Sequence, residues 1–377
     1  MANVSVELTP RTRTPRWFGM AVQGLTVVAA LAVAALALVA VDANPVTVYS
    51  EMFLGAFSDP LQASRVFNRS APLILAGLAV YIPLRSGLYN IGAEGQLIVG
   101  GLVTVWVGTR LPEAMGVGAE GAVVFLAALG VAVLAGVAWV YVPVYLYNKY
   151  EVNEILTTLM LVFTAERVSA YLISGPLQAG GGGFPRTGSI AFDLPTLFGT
   201  RIDVGIVFAL LAVAGTWLVI NRTRLGYEVV LSGSNEGVAE QTGIGTKKIT
   251  FFVFTFAAAL AGLAGFIEVA GNQSSLTIGW QPGYGWTAIP IALLGRRGAV
   301  QTMLAGFMFG FIFVGASTVE TTLGVPAAIS QMIEALIILF LISGEVLKTH
   351  RLDLVLGRWS LRESVGKLAR VGRAGGN

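Results

Sequence analysis

Apolar residues in this chain fall into blocks at roughly 17–41, 69–84, 91–109, 119–142, 155–175, 203–221, 249–270, 286–295, 300–318 and 328–347. Most blocks reach the roughly 20 residues that an α-helix needs to cross the hydrocarbon of a bilayer. The pattern predicts an all-α fold: a polytopic transmembrane helical bundle of about ten spans with one or two broken or short helices. Two blocks are short. The 69–84 block opens on the polar residues Asn68, Arg69 and Ser70, and the 286–295 block is about half a span. Ala, Leu, Val and Gly dominate the blocks, which suits helix association by small-residue packing in lipid. The stretches 42–64 and 176–202, the second containing Gly180 to Gly183, read as loops. The stretch from Asn221 to Lys248 is long, charged and helix-periodic.

Composition supports a membrane setting. Hydrophobic residues make up 55% of the 377 residues and charged residues 12%, against about 25% charged in a soluble domain. Too little polar side chain is available to cover such an apolar interior with water. Arg11, Arg13 and Arg16 precede the first apolar run, but Trp17 to Val41 is too long for a signal-peptide core and no small-residue cleavage site closes it. The run reads as a retained first helix. With the N-terminus in the cytoplasm and ten crossings, 18 of the 24 Lys and Arg residues face inward, as the positive-inside rule requires. The expected organisation is a cytoplasmic tail over 1–16, a transmembrane domain over 17–347 with a cytoplasmic loop at 222–248, and a basic cytoplasmic tail over 348–377. If 286–295 re-enters rather than crosses, the tail and its seven basic residues move outside, which argues for a crossing.

Several chemistries are excluded. There is no cysteine, and His350 is the sole histidine, so thiolate, His-based and multi-His metal chemistry have no residues to use. No phosphate-cradling glycine loop ending in Lys-Ser/Thr occurs, nor any paired catalytic motif. The chain is expected not to be an enzyme and to hold no metal or cofactor. If ATP drives it, the ATPase is another polypeptide.

Three segments concentrate polar residues and glycine. In Gly87–Gln96, three glycines accompany Asn90, Glu94 and Gln96 between two apolar blocks. Non-helical backbone at membrane depth survives only inside protein or beside water, and a carboxylate there marks a candidate site. Glu94 could equally cap a turn or pair with Arg85. In Arg224–Ile244, Ser234 or Asn235 can cap a short helix over about Glu236 to Thr242, which Gly243 would end. Such a helix could dock on another protein or rest on the lipid surface, although Glu228, Glu236 and Glu240 disfavour anionic lipid. In Gly279–Gly295, Trp280, Tyr284 and Trp286 alternate with Gly283 and Gly285 before a half-length block containing Pro290, a pattern that fits an interfacial aromatic belt or a discontinuous helix near a substrate path. Glu268 and Asn272 share one helical face, a pointer to a lumen. Glu166 and Arg167 are adjacent and so point about 100° apart.

These segments resemble the permeases of ABC importers for simple sugars, nucleosides and branched-chain amino acids. The resemblance runs from about Ser70 to Gly344. It is carried by NIGAEGQ at 90–96, VNEILTTLM at 152–160, the Gly233-x-Asn235 pattern continuing to Ala239 and Gly243-Ile244, and GWTAIPIALLG at 285–295. The 90–96 motif is most similar to the larger nucleoside permease paired with binding lipoproteins of the basic-membrane-protein type. Gly237, Glu240 and Arg296-Arg297 depart from the usual pattern. The resemblance implies that Gly233, Asn235, Glu236, Ala239, Gly243 and Ile244 form the helix coupled to the ATPase. It also implies a substrate path near Asn90, Glu94, Gln96, Gly283, Tyr284, Gly285 and Trp286, which Glu268 and Asn272 would extend. The implied partners are a second permease subunit, a cytoplasmic ATPase and an extracytoplasmic binding lipoprotein, working by alternating access. An ion-coupled secondary transporter, with Glu94 or Glu268 as the ion carrier, is the rival reading; it has no need of the 224–248 segment.

Overall fold

The computed structural model describes residues 4–10, 16–115, 121–180, 183–197 and 199–356. Most of the expected basic tail, 357–377, and Arg11 and Arg13 lie outside these residues. The chain divides into two compact units, 1–33 with 336–377, and 34–335. In the first unit, strands β1 (Val4–Pro10) and β2 (His350–Leu356) pair antiparallel, a two-stranded ribbon the all-helical expectation did not include. Also in this unit, Gly344 packs so closely on Thr26 that a methyl group would clash.

Each apolar block forms a helix. In order these are α1 (Arg16–Ala40), α3 (Pro60–Arg85), α4 (Ala93–Met115), α5 (Gly121–Tyr150), α6 (Glu154–Ser174), α7 (Gly205–Arg222), α10 (Thr246–Ile267), α11 (Tyr284–Leu294), α12 (Ala299–Leu323) and α13 (Ala327–Thr349). The short helices α2 (Pro45–Ser50), α8 (Arg224–Ser234) and α9 (Glu236–Gln241) lie between them, and π turns follow α2 and α10. Among the described residues, six helices are long and apolar enough to cross a membrane: α3, α5, α6, α7, α10 with its π turn, and α12.

Two expectations are corrected. The stretch 42–64 is not a loop: it holds α2, a π turn at Glu51–Gly55 and the start of α3. The 69–84 block is not short either, because α3 begins nine residues earlier. Asp59 caps it by accepting from Gln62 N–H at 2.8 Å, and Pro60 takes the first-turn position where a missing N–H costs nothing. Asn68 and Arg69 are therefore held on a helix.

The second unit is built around α3, whose most apolar window is 83% buried, against 22% for α6 at the periphery. Helices α4, α5 and α10 meet through glycines. A methyl group on Gly262 would strike the carbonyl of Ala132 on α5, one on Gly100 would strike Gly262, and one on Gly265 would overlap the Leu97 carbonyl on α4. Backbones meet backbones here, which maximises dispersion contact where no hydrophobic force drives association.

The half-length block resolves into a short helix preceded by irregular backbone. Helix α11 has 11 residues, about 16 Å at 1.5 Å per residue and roughly half the hydrocarbon thickness. At one end of the bundle, Ser274 and Leu276 accept from Ile190 and Thr187 N–H, and Gly108 near the end of α4 accepts from Ala191. At the other end, the Arg85 guanidinium donates to the Arg296 carbonyl. Irregular backbone over 274–283 and α11 together thus run from one end of the bundle to the other. The Arg85 end also gathers Lys247, whose carbonyl accepts from Asn148, and Gly233, which sits against Arg85 and Gly87.

Replacing Gly265 by Val should lower stability by about 3 kcal/mol or more, since the added atoms overlap backbone that has no rotamer to change. Gly215→Val on α7, where no atom lies within 4 Å, should stay within about 1 kcal/mol. Thermal unfolding in detergent compares the two.

Candidate functional site

Glu94 lies in the first turn of α4 and is fully buried. Its two carboxylate oxygens accept the N–H groups of Gly283 at 2.9 Å and Gly285 at 2.6 Å. These are orphan donors of the first turn of α11, which every helix must satisfy from outside itself. A carboxylate is the strongest acceptor for them and complements the positive end of the helix. Gly283 takes a left-handed conformation, φ 74°, and Gly285 lies so close to the Glu94 backbone that no side chain fits. Of the alternatives for Glu94, the pairing with Arg85 does not occur, as Arg85 is turned to Arg296. Glu94 is a tie between two helix starts.

Asn90 and Gln96 are also buried. Their amides exchange hydrogen bonds at 3.2 and 3.1 Å, and Asn90 donates a further one to the Ala79 carbonyl. Together they fasten the turn between α3 and α4 and face each other rather than a cavity. Trp286 is 38% exposed and takes no part in either cluster.

A second group surrounds Glu268, at the start of the π turn after α10 and fully buried. Arg69 donates to it at 3.2 Å, Asn272 at 2.7 Å and Gln273 at 3.3 Å. The Arg69 guanidinium also lies over the Tyr284 ring, 5.6 Å from its centre. The Tyr284 hydroxyl is buried beside Glu268 without a well-formed hydrogen bond. The π turn adds a residue to the helical turn, which lets Asn272 and Gln273 both reach back to one carboxylate.

Arg69, Asn272 and Gln273 of this group line a cavity of about 280 Å³, close to the lower end of the roughly 300–1,000 Å³ of small-molecule sites. Gln62, Arg65, Asn68 and Arg69 line it from α3, Asn272 and Gln273 from the π turn, and Phe313, Ser317 and Thr318 from α12. With Val314 also at its wall, the lining is mostly amide, guanidinium and hydroxyl groups beside one aromatic ring, suited to a ligand rich in hydroxyls. Sequence reasoning found Glu268, Asn272 and Tyr284 but missed Gln62, Arg65, Asn68 and Arg69. The cap Asp59-Pro60 followed by polar residues at 62, 65, 68 and 69 was the available sign: that spacing puts them on one helical face.

Beside this group, Asn68 clips the loop before α7, accepting from Asp203 N–H and donating to the Arg201 carbonyl, each at 3.0 Å. Asp203 accepts from Gly205 N–H through Oδ1, while Oδ2 is buried with no hydrogen bond. Burial, with a smaller push from Glu268, raises its pKa from 3.8 to about 6, against the lowering effect of the Gly205 bond.

At the Arg85 end, α8 and α9 form a separate projection. Asn235 separates the two and caps α9, accepting from Val238 N–H at 3.2 Å. Gly243, φ 80°, ends the helix, and Ile244 N–H closes back on the Ala239 carbonyl at 3.0 Å in the manner of a Schellman turn. Ala239 is buried, Val238 is exposed, and Glu236 begins the helix. Gly233 packs against the Arg85–Gly87 turn, where a side chain would collide with the Arg85 carbonyl. A second cavity of about 300 Å³, lined by Ser86, Glu154, Asn235 and Thr250 among others, lies beside it. The six positions expected to form the coupling helix thus fall between the end of α8 and the turn after α9, away from the polar cavity.

Residues 62–342 match the family described as branched-chain amino acid transport system / permease component. The chain belongs to that family. It is a multi-pass membrane protein and an ABC transporter permease, not an enzyme. The glucose ABC transporter permease protein TsgB13 of Haloferax volcanii is 43% identical, over 94% of this chain and 96% of its own. The guanosine ABC transporter permease protein NupP of Bacillus subtilis is 32% identical, over 80% and 86% respectively. The nucleoside ABC transporter permease protein NupB of Lactococcus lactis subsp. cremoris is 25% identical, over 79% and 84%.

Two outcomes test this geometry. Arg69→Ala leaves the Glu268 carboxylate without its cation and should cost about 2–4 kcal/mol, below the full value for a buried pair because Arg69 keeps partial contact with solvent. The double variant R69A/E268Q should recover more than half of that loss in thermal unfolding. For Asp203, the folded state holds its proton more tightly than the unfolded chain. Its contribution to stability is therefore present below pH 4 and lost as pH rises to about 6. Melting temperature should fall across that window, and D203N should remove the slope.

Proposed function

We propose that this chain forms the translocation pathway of an ABC importer for a simple sugar or nucleoside, energised by a separate ATPase. The polar cavity beside Arg69 and Glu268 carries the reading. Its amides and hydroxyls offer donors and acceptors in many directions, as a polyhydroxylated ligand requires, while Phe313 offers an apolar face to a sugar ring or base. The relatives that transport glucose and guanosine support the same substrate class. The ion-coupled reading finds no support: Glu94 is fully engaged by two N–H groups and Glu268 by three side-chain donors.

The proposed topology places the Arg85 end in the cytoplasm. The structure gathers Arg85, Lys247 and Arg296 there, in keeping with the positive-inside rule, and the bonded ribbon of β1 and β2 favours an even number of crossings. Ten crossings, counting 274–294 as one, accommodate both. The projecting α8–α9 element then faces the cytoplasm as the ATPase dock. A second permease subunit, homologous but not identical, would complete the pathway, and a binding lipoprotein would deliver substrate to the polar cavity from outside. ATP would be bound by the ATPase, and this chain would hold no cofactor. ATP binding would draw the docks together and open the outer cavity, and hydrolysis would reset it.

Asn235→Ala removes the α9 cap, worth about 1 kcal/mol locally, and Gly243→Val strains the left-handed turn. Each should reduce uptake of labelled glucose or guanosine at least tenfold while the protein remains at normal levels in the membrane. Wild-type uptake in both variants would sink the importer reading.

A further inference from the structure

The exposed face of α6 carries Leu156, Met160, Phe163, Arg167 and Tyr171, positions spaced by three and four residues that form one stripe along the helix. Four are apolar or aromatic, as a lipid-facing stripe would be. The fifth is a guanidinium. Helix α6 has 21 residues, about 31 Å, so it just spans the hydrocarbon. Arg167 lies about 20 Å from its first residue and about 10 Å from its last.

Arg167 has no ion-pair or hydrogen-bond partner among the described residues. It is poorly placed to escape to the bilayer surface, because the Cα–Cβ bonds of a helix tilt toward the N-terminus. Here that direction leads to the farther end. A charge at this depth is costly against lipid and is found facing protein or water. The exposed faces of α5 and α7 show what lipid tolerates: Leu126, Leu134 and Tyr141 on one, Leu210, Leu211 and Leu218 on the other, with no charge between the helix ends.

A groove adjoins the stripe. Leu102, Val103, Trp106 and Arg110 of α4 and Leu172 of α6 line an opening of about 280 Å³, and Trp106 is 53% exposed. An open groove edged by a tryptophan and an arginine has the composition of a protein–protein anchor.

We infer that this face of α6, with the groove beside it, is the contact surface for the second permease subunit, and that a carboxylate of that subunit neutralises Arg167. The inference rests on the importer reading above. Two permeases related by an axis along the membrane normal hold corresponding residues at equal depth, and such an interface is self-complementary. Glu166, one position earlier, half-buried and about 100° round the helix at the edge of this face, marks a depth at which a similarly folded subunit can carry a carboxylate.

The chain contains no cysteine or other feature that complicates site-specific labelling. A photoreactive benzoylphenylalanine placed at Phe163 in the complete transporter, in native membranes, should give a light-dependent adduct with a permease subunit, either this chain or its homologue, identified by mass spectrometry. The same probe at Leu134 or Leu211 should give no protein adduct. Arg167→Glu should lower recovery of the second permease in pull-down at least fivefold, with R167K retaining it; if R167E fails to insert, the Phe163 adduct decides alone. Adducts from Phe163 with lipid only, or with the ATPase or binding protein only, overturn the inference. If the ATPase still co-purifies in that case, the importer reading stands and only the interface falls; if no ATPase co-purifies and uptake is absent, both fall.

Discussion

Backbone polar groups cannot be left bare inside a bilayer, and this fold interrupts an apolar segment in the middle of its bundle. The Glu94 carboxylate makes that break possible. It accepts the N–H groups of Gly283 and Gly285, taking the place of the helical turn that α11 lacks at its start. Everything near it follows from this demand. Gly283 supplies the left-handed approach, Gly285 allows contact with the Glu94 backbone, and the Asn90–Gln96 amide pair holds the α3–α4 turn so that the carboxylate arrives in register. The two N–H groups fix the direction in which the carboxylate points.

The tie also explains how distant parts of the chain come to be neighbours. Helix α11 is held at one end by α4 and at the other by the Arg85–Arg296 contact, with Tyr284 in its first turn under the Arg69 guanidinium. The turn that carries Arg85 is the surface on which Gly233 of the α8–α9 projection rests. The polar cavity and the projection therefore both adjoin α3, at opposite ends. A displacement of α8 would meet the Arg85 turn directly, with no flexible side chain between them to absorb it.

Much of the architecture was legible in the sequence because the bilayer fixes helix length, and every apolar block became a helix. The α9 projection was legible for a different reason: its cap, Asn235, and its stop, Gly243, are local signals. The role of Glu94 was not. Its partners lie 189 and 191 residues away, and they are backbone N–H groups, which every residue except proline possesses and which leave no trace in composition. The polar face of α3 was missed because hydropathy marks where a helix becomes apolar rather than where it begins. Glu268 and Asn272 were found together because a helical face is a short-range property, whereas Arg69 reaches them only through the tertiary fold.

The glycine contacts among α4, α5 and α10 have a mechanical consequence. Packed helices slide past one another by switching side-chain rotamers at their shared surface, each small step accommodated by a new set of torsions. Where Gly100, Gly136, Gly262 and Gly265 bring main chain against main chain, there are no torsions to switch. These three helices form a seized gear: any turning of the bundle must carry them as one block.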